Sequence, residues 1–153
     1  VSGNTVGTAA FLVVVAIGLP LRDERGAQIA VGVVSMVLFA AGAVTALWAY
    51  VSALERSRVH EIGVANLYLL TGRTAPRPIK RWMAALLALQ VVVSLVAATV
   101  GAAGLTDDEV NALAFGILVP MFGIGMNGMW AVRHGRFGPR LERRVPSSKG
   151  PIG

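Results

Sequence analysis

Three glycines near the end of the chain have the spacing of a nucleotide-binding turn. In "MFGIGMNGMW", residues 121–130, Gly123, Gly125 and Gly128 spell G-x-G-x-x-G. In dinucleotide-binding folds this pattern follows a strand and opens a helix whose N-terminus faces a pyrophosphate. Here the match lies inside a long apolar run, with no strand pattern before it. We therefore interpret these glycines as helix-packing residues, because small residues allow helices in lipid to approach closely.

Few other residues have the types or spacing that catalysis or metal binding requires. The chain has no cysteine, and its two histidines, His60 and His134, both lie in basic segments. Haem or metal ligation in a membrane needs ligand pairs at a suitable depth, and the methionines of residues 121–129 have no His or Cys partner in an apolar run. No Ser-His-Asp set and no carboxylate pair stands out. The sequence predicts a protein that is not an enzyme and binds no cofactor or metal with its own side chains.

The segments that carry these residues are strongly apolar. Of 153 residues, 55% are hydrophobic and only 14% are charged, and the mean hydropathy is +0.67. Soluble domains carry about 25% charged residues, and apolar runs of about 18 or more are typical of transmembrane helices. Four such runs, residues 5–21, 27–54, 83–105 and 110–132, contain no charged residue. Because a charge at the bilayer centre costs about 2.5–3.5 kcal/mol, we predict an all-α polytopic membrane protein with four transmembrane helices.

The runs divide the chain into four parts. Residues 1–54 are predicted to form a first transmembrane hairpin around "RDERG", and residues 83–132 a second hairpin around the acidic "TDDE". Residues 55–82 form a basic loop and residues 133–153 a basic tail, whose end has the composition of a flexible terminus. No basic segment precedes the first run, so we expect it to remain as a helix rather than act as a cleaved signal peptide.

The long loop contains one further apolar pattern. In "VHEIGVANLYLL", Val59, Ile62, Leu69 and Leu70 fall roughly on one helical stripe. Two interpretations stay open: a short amphipathic helix that lies flat at the lipid headgroups, or a continuation of the second helix into the cytoplasm. The prolines of "TGRTAPRP" are expected to end any helix that forms here.

The basic residues predict the orientation. Loop 55–82 and tail 133–153 hold six Lys/Arg each, whereas "TDDE" holds none, so the positive-inside rule places the loop, the tail and both termini in the cytoplasm of a plasma-membrane protein. The sequence pI of about 11.1 then records contact with anionic lipid or a cytoplasmic partner, not with nucleic acid. The residues predicted to make these contacts are Arg77, Lys80, Arg81, Arg140, Arg143 and Arg144.

Aromatic residues support the same placement. Trp48, Trp82 and Trp130 all fall at ends of apolar runs that the charge pattern assigns to the cytoplasmic interface. Tryptophan is enriched at membrane–water interfaces, where its ring sits at the level of the headgroups. We predict that these three rings anchor the protein at that interface.

Small and polar residues predict how the helices pack. On the fourth run, Gly116, Pro120, Gly123 and Asn127 recur every three or four residues on one face. Asn127 and Gln90, the latter in the third run, both lie towards the predicted cytoplasmic half, so their positions allow contact between them. Interhelical hydrogen bonds are the role expected of both. These five residues are the predicted helix-packing set.

One stretch resembles a known kind of membrane subunit. The run "MFGIGMNGMWAVRHGRFGPR", in a chain rich in Ala, Val and Arg, resembles small subunits attached to the actinobacterial (mycobacterial) respiratory bcc–aa3 supercomplex, of the prokaryotic respiratory supercomplex association factor kind. The resemblance covers size, helical character and that stretch. It implies a non-catalytic accessory role that stabilises or associates a cytochrome bcc complex and an aa3 oxidase, whose own subunits carry the haem, copper and iron–sulfur centres.

Two other functions remain open. Four helices in about 150 residues are also typical of small exporters, but those couple transport through a carboxylate inside the membrane, and no run contains one. Alternatively, the basic loop and tail would make the protein a surface adaptor that binds anionic lipid or a cytoplasmic partner. Co-purified haem proteins would support the accessory subunit, and a lone homodimer with substrate flux would support the transporter.

Overall fold

The computed structural model describes residues 1–21, 24–58, 60–103 and 112–139. Over these ranges the chain is helical apart from one antiparallel pair of two-residue strands, so the predicted helical class is confirmed for this part of the chain. The acidic turn "TDDE" and residues 140–153 lie outside it. The elements in chain order are α1 (Ser2–Gly18), α2 (Arg25–Arg56), β1 (His60–Glu61), α3 (Val64–Tyr68), α4 (Arg77–Ala102), a 3₁₀ helix (Ala112–Leu118), α5 (Pro120–His134) and β2 (Gly138–Pro139).

In the described part of the chain, three helical stretches are long and apolar enough to cross a membrane: Arg25–Arg56, Arg77–Gly101 and Ala114–His134. The first predicted run forms α1, which has 17 residues and is therefore shorter than these three. The prediction that α1 also spans the bilayer stays a prediction. At about 1.5 Å per residue, the 32 residues of α2 extend about 48 Å, well beyond a hydrocarbon core of about 30 Å.

A stripe of buried residues attaches α1 to the other helices. Residues at intervals of three or four along α1 are buried, and most of these are small or polar: Asn4, Gly7, Thr8, Phe11, Val15 and Gly18. Such spacing places them on one helical face. A Cβ added at Gly3 would lie 2.9 Å from Met126 Cε, and Gly116 faces the Phe11 ring, so α1 runs antiparallel to the segment that contains α5.

The closest helix contact joins α2 and α5. A Cβ on Gly42 would lie 2.5 Å from both Cα and N of Phe122, and a Cβ on Gly125 would meet the carbonyl oxygen of Gly42. Further along, Gly128 lies against Ala49. Because residue numbers rise together along both helices, α2 and α5 are parallel. The same argument makes α1 and α4 parallel, since Trp82 hydrogen-bonds to Thr5 and Gln90 to Thr8.

The fourth apolar run was predicted as a single helix, but it contains two types of helix. A 3₁₀ helix occupies Ala112–Leu118, and α5 begins at Pro120. Proline is well placed in the first turn of an α-helix, because its missing N–H has no intrahelical acceptor there. Val119 keeps right-handed helical angles at the junction, and Phe122 N donates to Val119 O at 2.8 Å, so the chain changes helix type without leaving the helical region.

The loop between α2 and α4 folds back over the helix ends. Its helix, α3, covers Val64–Tyr68, and α2 ends at Arg56. Of the two interpretations, the structure therefore has a short separate helix and no continuation of α2, and the placement of α3 at the lipid headgroups stays a prediction. Leu70 has a φ of 53°, in the left-handed region, and its side chain is buried. The loop and helix ends form one apolar cluster, which consists of Ala49, Ala53, Leu67, Leu70, Met83, Trp130, Ala131 and Val132.

Short backbone contacts complete this region. β1 pairs antiparallel with β2 after α5, with His60 opposite Pro139 and Glu61 opposite Gly138. Arg136 N also donates to Thr74 O at 3.1 Å. We call the region where α1 and α4 begin and α2 and α5 end the loop end of the molecule, because the segments after α2, α3 and α5 all meet there.

Candidate functional site: polar contacts and the loop end

Gln90 forms a buried polar contact between α4 and α1. Its Nε2 donates to Thr8 Oγ1 at 2.6 Å and to Asn4 Oδ1 at 3.2 Å, and all three side chains are buried. Thr8 Oγ1 itself donates to Asn4 O at 2.7 Å, which joins successive turns of α1. In an apolar environment, interhelical hydrogen bonds of this kind hold helices in one register.

Five buried polar side-chain atoms have no hydrogen-bond partner among the described residues. They are Asn4 Nδ2, Gln90 Oε1, Ser94 Oγ, Ser35 Oγ and Asn127 Oδ1. Gln90 Oε1 faces α5 at Gly123, where a side chain would collide with it. Buried polar groups in proteins are normally hydrogen-bonded, so these five atoms are exceptions.

Asn127 and Gln90 do not hydrogen-bond to each other, although their positions in the sequence allow such a contact. Asn127 Nδ2 instead donates to the backbone oxygen of Tyr68 at 3.0 Å, and Tyr68 Oη donates to Ala46 O at 2.9 Å. Gln90 points to α1. The physical reason is that α3 folds back against α5 and brings a backbone carbonyl, which an amide readily binds, within reach of Asn127.

The other predicted packing residues lie at helix contacts of different kinds. Gly123 faces Gln90 and Leu87 of α4, whereas Gly116 lies in the 3₁₀ helix next to Ala97 and Phe11. Pro120 is only half-buried and starts α5. The G-x-G-x-x-G glycines lie within α5, where Gly125 contacts α2 and Gly128 contacts Ala49 and Tyr68.

The three tryptophans have different surroundings. Trp48 and Trp82 are 43% and 51% exposed, and Trp82 Nε1 donates to Thr5 Oγ1 at 3.2 Å. Trp130 is only 9% exposed, because the loop end covers it, and its ring stacks on His134 with centroids 5.5 Å apart. Trp130 therefore packs inside the protein, and the prediction that it anchors the protein at an interface is corrected.

Two arginines join α2 and α5 at the loop end. Arg56 Nη1 donates to Val132 O at 2.6 Å, so the last turn of α2 caps the last turn of α5. Carbonyl groups in the last turn of a helix lack intrahelical partners and carry partial negative charge, which a guanidinium satisfies. Arg133 lies over the ring of Trp48, 5.2 Å from the centroid.

Four other basic residues line a cleft at the loop end. The cleft has a volume of about 710 Å³, and its lining includes Arg73, Arg77, His134, Arg136 and the ring of Trp130. We call it the basic cleft. Of the residues predicted to contact lipid or a partner, Arg77 lines it, whereas Lys80 and Arg81 follow on α4. Arg140, Arg143 and Arg144 lie outside the described residues.

One side chain of the loop end has a shifted pKa. Burial, and then the nearby Tyr50, raises the pKa of the Tyr68 hydroxyl above its usual value of 10.0. Tyr68 is therefore a neutral hydrogen-bond donor over the physiological range, as its bond to Ala46 O requires. Both its hydroxyl and its backbone oxygen are in use, which fixes α3 between α2 and α5.

Sequence reasoning missed the partners of the two amides. Asn4 and Thr8 are four residues apart, which places them on one face of α1, and this spacing was the available signal. Tyr68 and Thr74 carried no such signal, because their roles depend on how an irregular loop folds. Thr74 is 3% exposed, and it donates through Oγ1 to Thr71 O while its own carbonyl accepts from Arg136.

Comparisons with protein-family models, with curated proteins and with solved structures give no match for this chain. In the described part of the chain, no group of three or more His, Cys, Asp or Glu side chains is placed to hold a metal ion. The chemistry that the described residues display is therefore hydrogen bonding between helices and a concentration of positive charge at the loop end.

Proposed function

We propose that all four apolar segments span the plasma membrane as two hairpins, with the loop end and both termini in the cytoplasm. Three helices of sufficient length and apolarity support this placement. The helix directions support it too, since α1 and α4 run one way and α2 and α5 the other. Basic residues at the loop end, among them Arg56, Arg77 and Arg133, agree with the positive-inside rule.

Within the membrane, we propose a non-catalytic structural role as an accessory subunit of a larger complex. The observation that carries this proposal is the outward face of α2. Over 25 residues this face exposes apolar side chains at alternating spacings of three and four, the heptad spacing of helices that pack side by side. The residues are Ala30, Val33, Val37, Ala40, Val44, Leu47, Val51 and Leu54. We call them the α2 seam.

The composition of the α2 seam suits a partner helix. The seam consists of two sets of positions, each repeating every seven residues. The first set holds only Ala or Val, whose short side chains allow close approach of a second helix. The second set ends in the larger Leu47 and Leu54. The opposite face of α2 is already occupied, because Gly42, Ala46 and Ala49 are buried against α5 and the loop. We therefore propose that a transmembrane helix of a neighbouring subunit covers the seam. The resemblance noted above makes cytochrome bcc and aa3 oxidase subunits the first partners to test.

The absence of cysteine from the sequence allows a site-specific test of this partner. A single cysteine replaces Val44, in the middle of the α2 seam, and carries a photo-crosslinker in intact membranes. The matched control is a single cysteine at Val92, which is comparably exposed on α4 (58% against 67%). We expect Val44→Cys, but not Val92→Cys, to crosslink in high yield to a haem-containing membrane subunit.

Other outcomes separate the alternatives. Crosslinking of Val44→Cys to a second copy of the chain, together with substrate-dependent flux in vesicles, would support a small homodimeric transporter instead. Crosslinking to lipid alone would contradict a helix partner at this face. A bulky pair provides a second test: Val44→Trp is expected to release the partner during purification in mild detergent, whereas Val92→Trp is expected to retain it.

A further inference from the structure

The basic cleft has the charge and size of an anion-binding site. Three arginines and a histidine converge on it from three parts of the chain: Arg73 before α4, Arg77 at its start, and His134 and Arg136 at the end of α5. Among the described residues that line it, none is acidic. Its volume of about 710 Å³ lies within the range of small-molecule sites, about 300–1,000 Å³.

Helix electrostatics adds to the positive field of the basic cleft. α4 begins at Arg77, so the partial positive charge of its first turn lies at the wall of the cleft. A cation at this position is unfavourable for the helix itself, because the first turn favours acidic side chains. The positive-inside rule explains basic residues near a membrane end in general. It does not explain why Arg73 and Arg136 meet Arg77 from two other segments.

The local structure holds the cleft in shape. Thr74, buried in its wall, accepts a backbone hydrogen bond from Arg136 at 3.1 Å, which ties the segment after α5 to the segment before α4. His134 stacks on the buried ring of Trp130. These contacts between lining residues fix the backbone positions from which Arg73, Arg77 and Arg136 extend.

From this geometry we infer that the basic cleft binds the phosphate group of an anionic ligand, and that a membrane lipid supplies it. Arginine matches phosphate oxygens with paired N–H donors. The choice of a lipid rests on the membrane placement proposed above. Trp82, exposed and five residues into α4, lies about 7.5 Å along the helix from Arg77, which places the cleft at headgroup depth.

Trp130 provides a reporter inside the cleft. The full chain, with Trp48→Phe and Trp82→Phe substitutions, retains Trp130 alone, and its fluorescence is followed in neutral detergent. Short-chain phosphatidylglycerol, short-chain phosphatidylcholine and pyrophosphate are titrated in separate arms. We expect a saturable change with phosphatidylglycerol and none with phosphatidylcholine, and native mass spectrometry is expected to count the retained lipid.

A charge-matched pair of variants tests the residues. Arg73→Gln and Arg136→Gln together are expected to weaken phosphatidylglycerol binding at least about tenfold. The control makes the same change in net charge at two cations that do not line the cleft, as Arg25→Gln and Arg58→Gln, and its binding is expected to stay within about twofold of the parent. Circular dichroism checks that both variants keep their helices.

Each remaining outcome decides a separate point. Binding of pyrophosphate without binding of phosphatidylglycerol would support a phosphate site and contradict the lipid as its source. Equal loss of binding in the two variants, or no saturable binding in any arm, would overturn the site. The assay uses the isolated chain, so its result is independent of whether a partner covers the α2 seam, and failure of one proposal is distinguishable from failure of the other.

Discussion

Gln90 Nε2 lies 2.6 Å from Thr8 Oγ1, and this hydrogen bond joins α4 to α1 through two residues that are 82 positions apart in the sequence. Both side chains are buried, and Asn4 Oδ1 accepts a second bond from the same amide nitrogen at 3.2 Å. α1 has 17 residues and is shorter than the three described helical stretches that are long enough to cross a membrane. The amide of Gln90 is therefore a principal determinant of where α1 packs.

Replacement of this amide is expected to loosen α1. Gln90→Leu keeps the volume and removes both donors, and we expect the free energy of unfolding in detergent to fall by about 1–2 kcal/mol, near the upper end of measured membrane hydrogen bonds. Thermal unfolding with a helix-sensitive probe measures the change. The control is Thr99→Val on the same helix, whose hydroxyl donates only to Val96 O of its own turn. We expect a change below about 0.5 kcal/mol there.

Two results would contradict this account of Gln90. One is an equal effect of Gln90→Leu and Thr99→Val, which would mean that any polar side chain of α4 contributes as much. The other is an unchanged accessibility of the buried face of α1, measured by labelling a cysteine at Val15, in a variant that is nevertheless destabilised. That combination would place the effect of Gln90 elsewhere in α4.

The helices could be predicted from the sequence, because the absence of charge from runs as long as a bilayer is a property of composition. Gln90 and Asn127 could be identified as buried polar residues for the same reason. Their partners could not, since each depends on an element whose placement composition does not determine. Asn127 binds a carbonyl that α3 brings back to α5, and α3 has only five residues.

For the basic residues too, one feature could be predicted from the sequence and another could not. Their positions along the chain predict which end of the helices faces the cytoplasm, since that rule depends on counts near the spans. The convergence of Arg73, Arg77 and Arg136 depends on the fold of the loop, including the bond between Arg136 N and Thr74 O. The burial of Trp130 has the same origin, because the loop covers a ring that the helix alone would expose.

Gly42 is expected to tolerate no side chain. A Cβ there would lie 2.5 Å from Phe122 Cα, a backbone atom that cannot move away without separating α2 from α5. We expect Gly42→Ala to lower the free energy of unfolding by about 1–3 kcal/mol, as overpacking does. The matched control is Gly26→Ala in the first turn of the same helix, which has no neighbouring atom within 4 Å. Alanine there is expected to be neutral or slightly stabilising, by up to about 1 kcal/mol.

The comparison of these glycines tests the close approach of α2 and α5 directly. If Gly42→Ala and Gly26→Ala gave the same stability, the two helices would have to be further apart than the structure places them. Chemical unfolding in mixed micelles measures both variants under one condition, and the slope of the transition shows whether the variants unfold as a single cooperative unit.

Tyr68 is expected to make stability sensitive to alkali. Burial raises the pKa of its hydroxyl above 10.0, so in the unfolded chain the group loses its proton at a lower pH than in the folded chain. The unfolded state then binds fewer protons in the window between the two values, and stability falls as pH rises through it. Below that window the contribution is fully present. Tyr68→Phe is expected to remove this alkaline component, along with the hydrogen bond to Ala46 O.

The absorbance of tyrosinate in the folded and unfolded chain checks the direction of this shift. Tyr50→Phe leaves Tyr68 as the sole tyrosine of the sequence, and because burial is the larger cause of the shift, we expect the pKa of Tyr68 to stay raised in this variant. An alkaline loss of stability that persisted in Tyr68→Phe would assign the effect to another group. Equal titration of Tyr68 in the folded and unfolded chain would contradict its burial by α2 and α5.

The orientation of the chain can be tested with single cysteines, since the sequence contains none. Gly26 and Gly63 are both exposed. Gly26 lies in the first turn of α2, and Gly63 follows the C-terminal end of that helix. The positive-inside rule places Gly63, beside the basic loop, in the cytoplasm. In intact cells, a membrane-impermeant maleimide is therefore expected to label Gly26→Cys and not Gly63→Cys, and permeabilisation is expected to expose both. Labelling of Gly63→Cys in intact cells would mean that the orientation is the reverse of the one proposed, with the basic cleft against the outer leaflet.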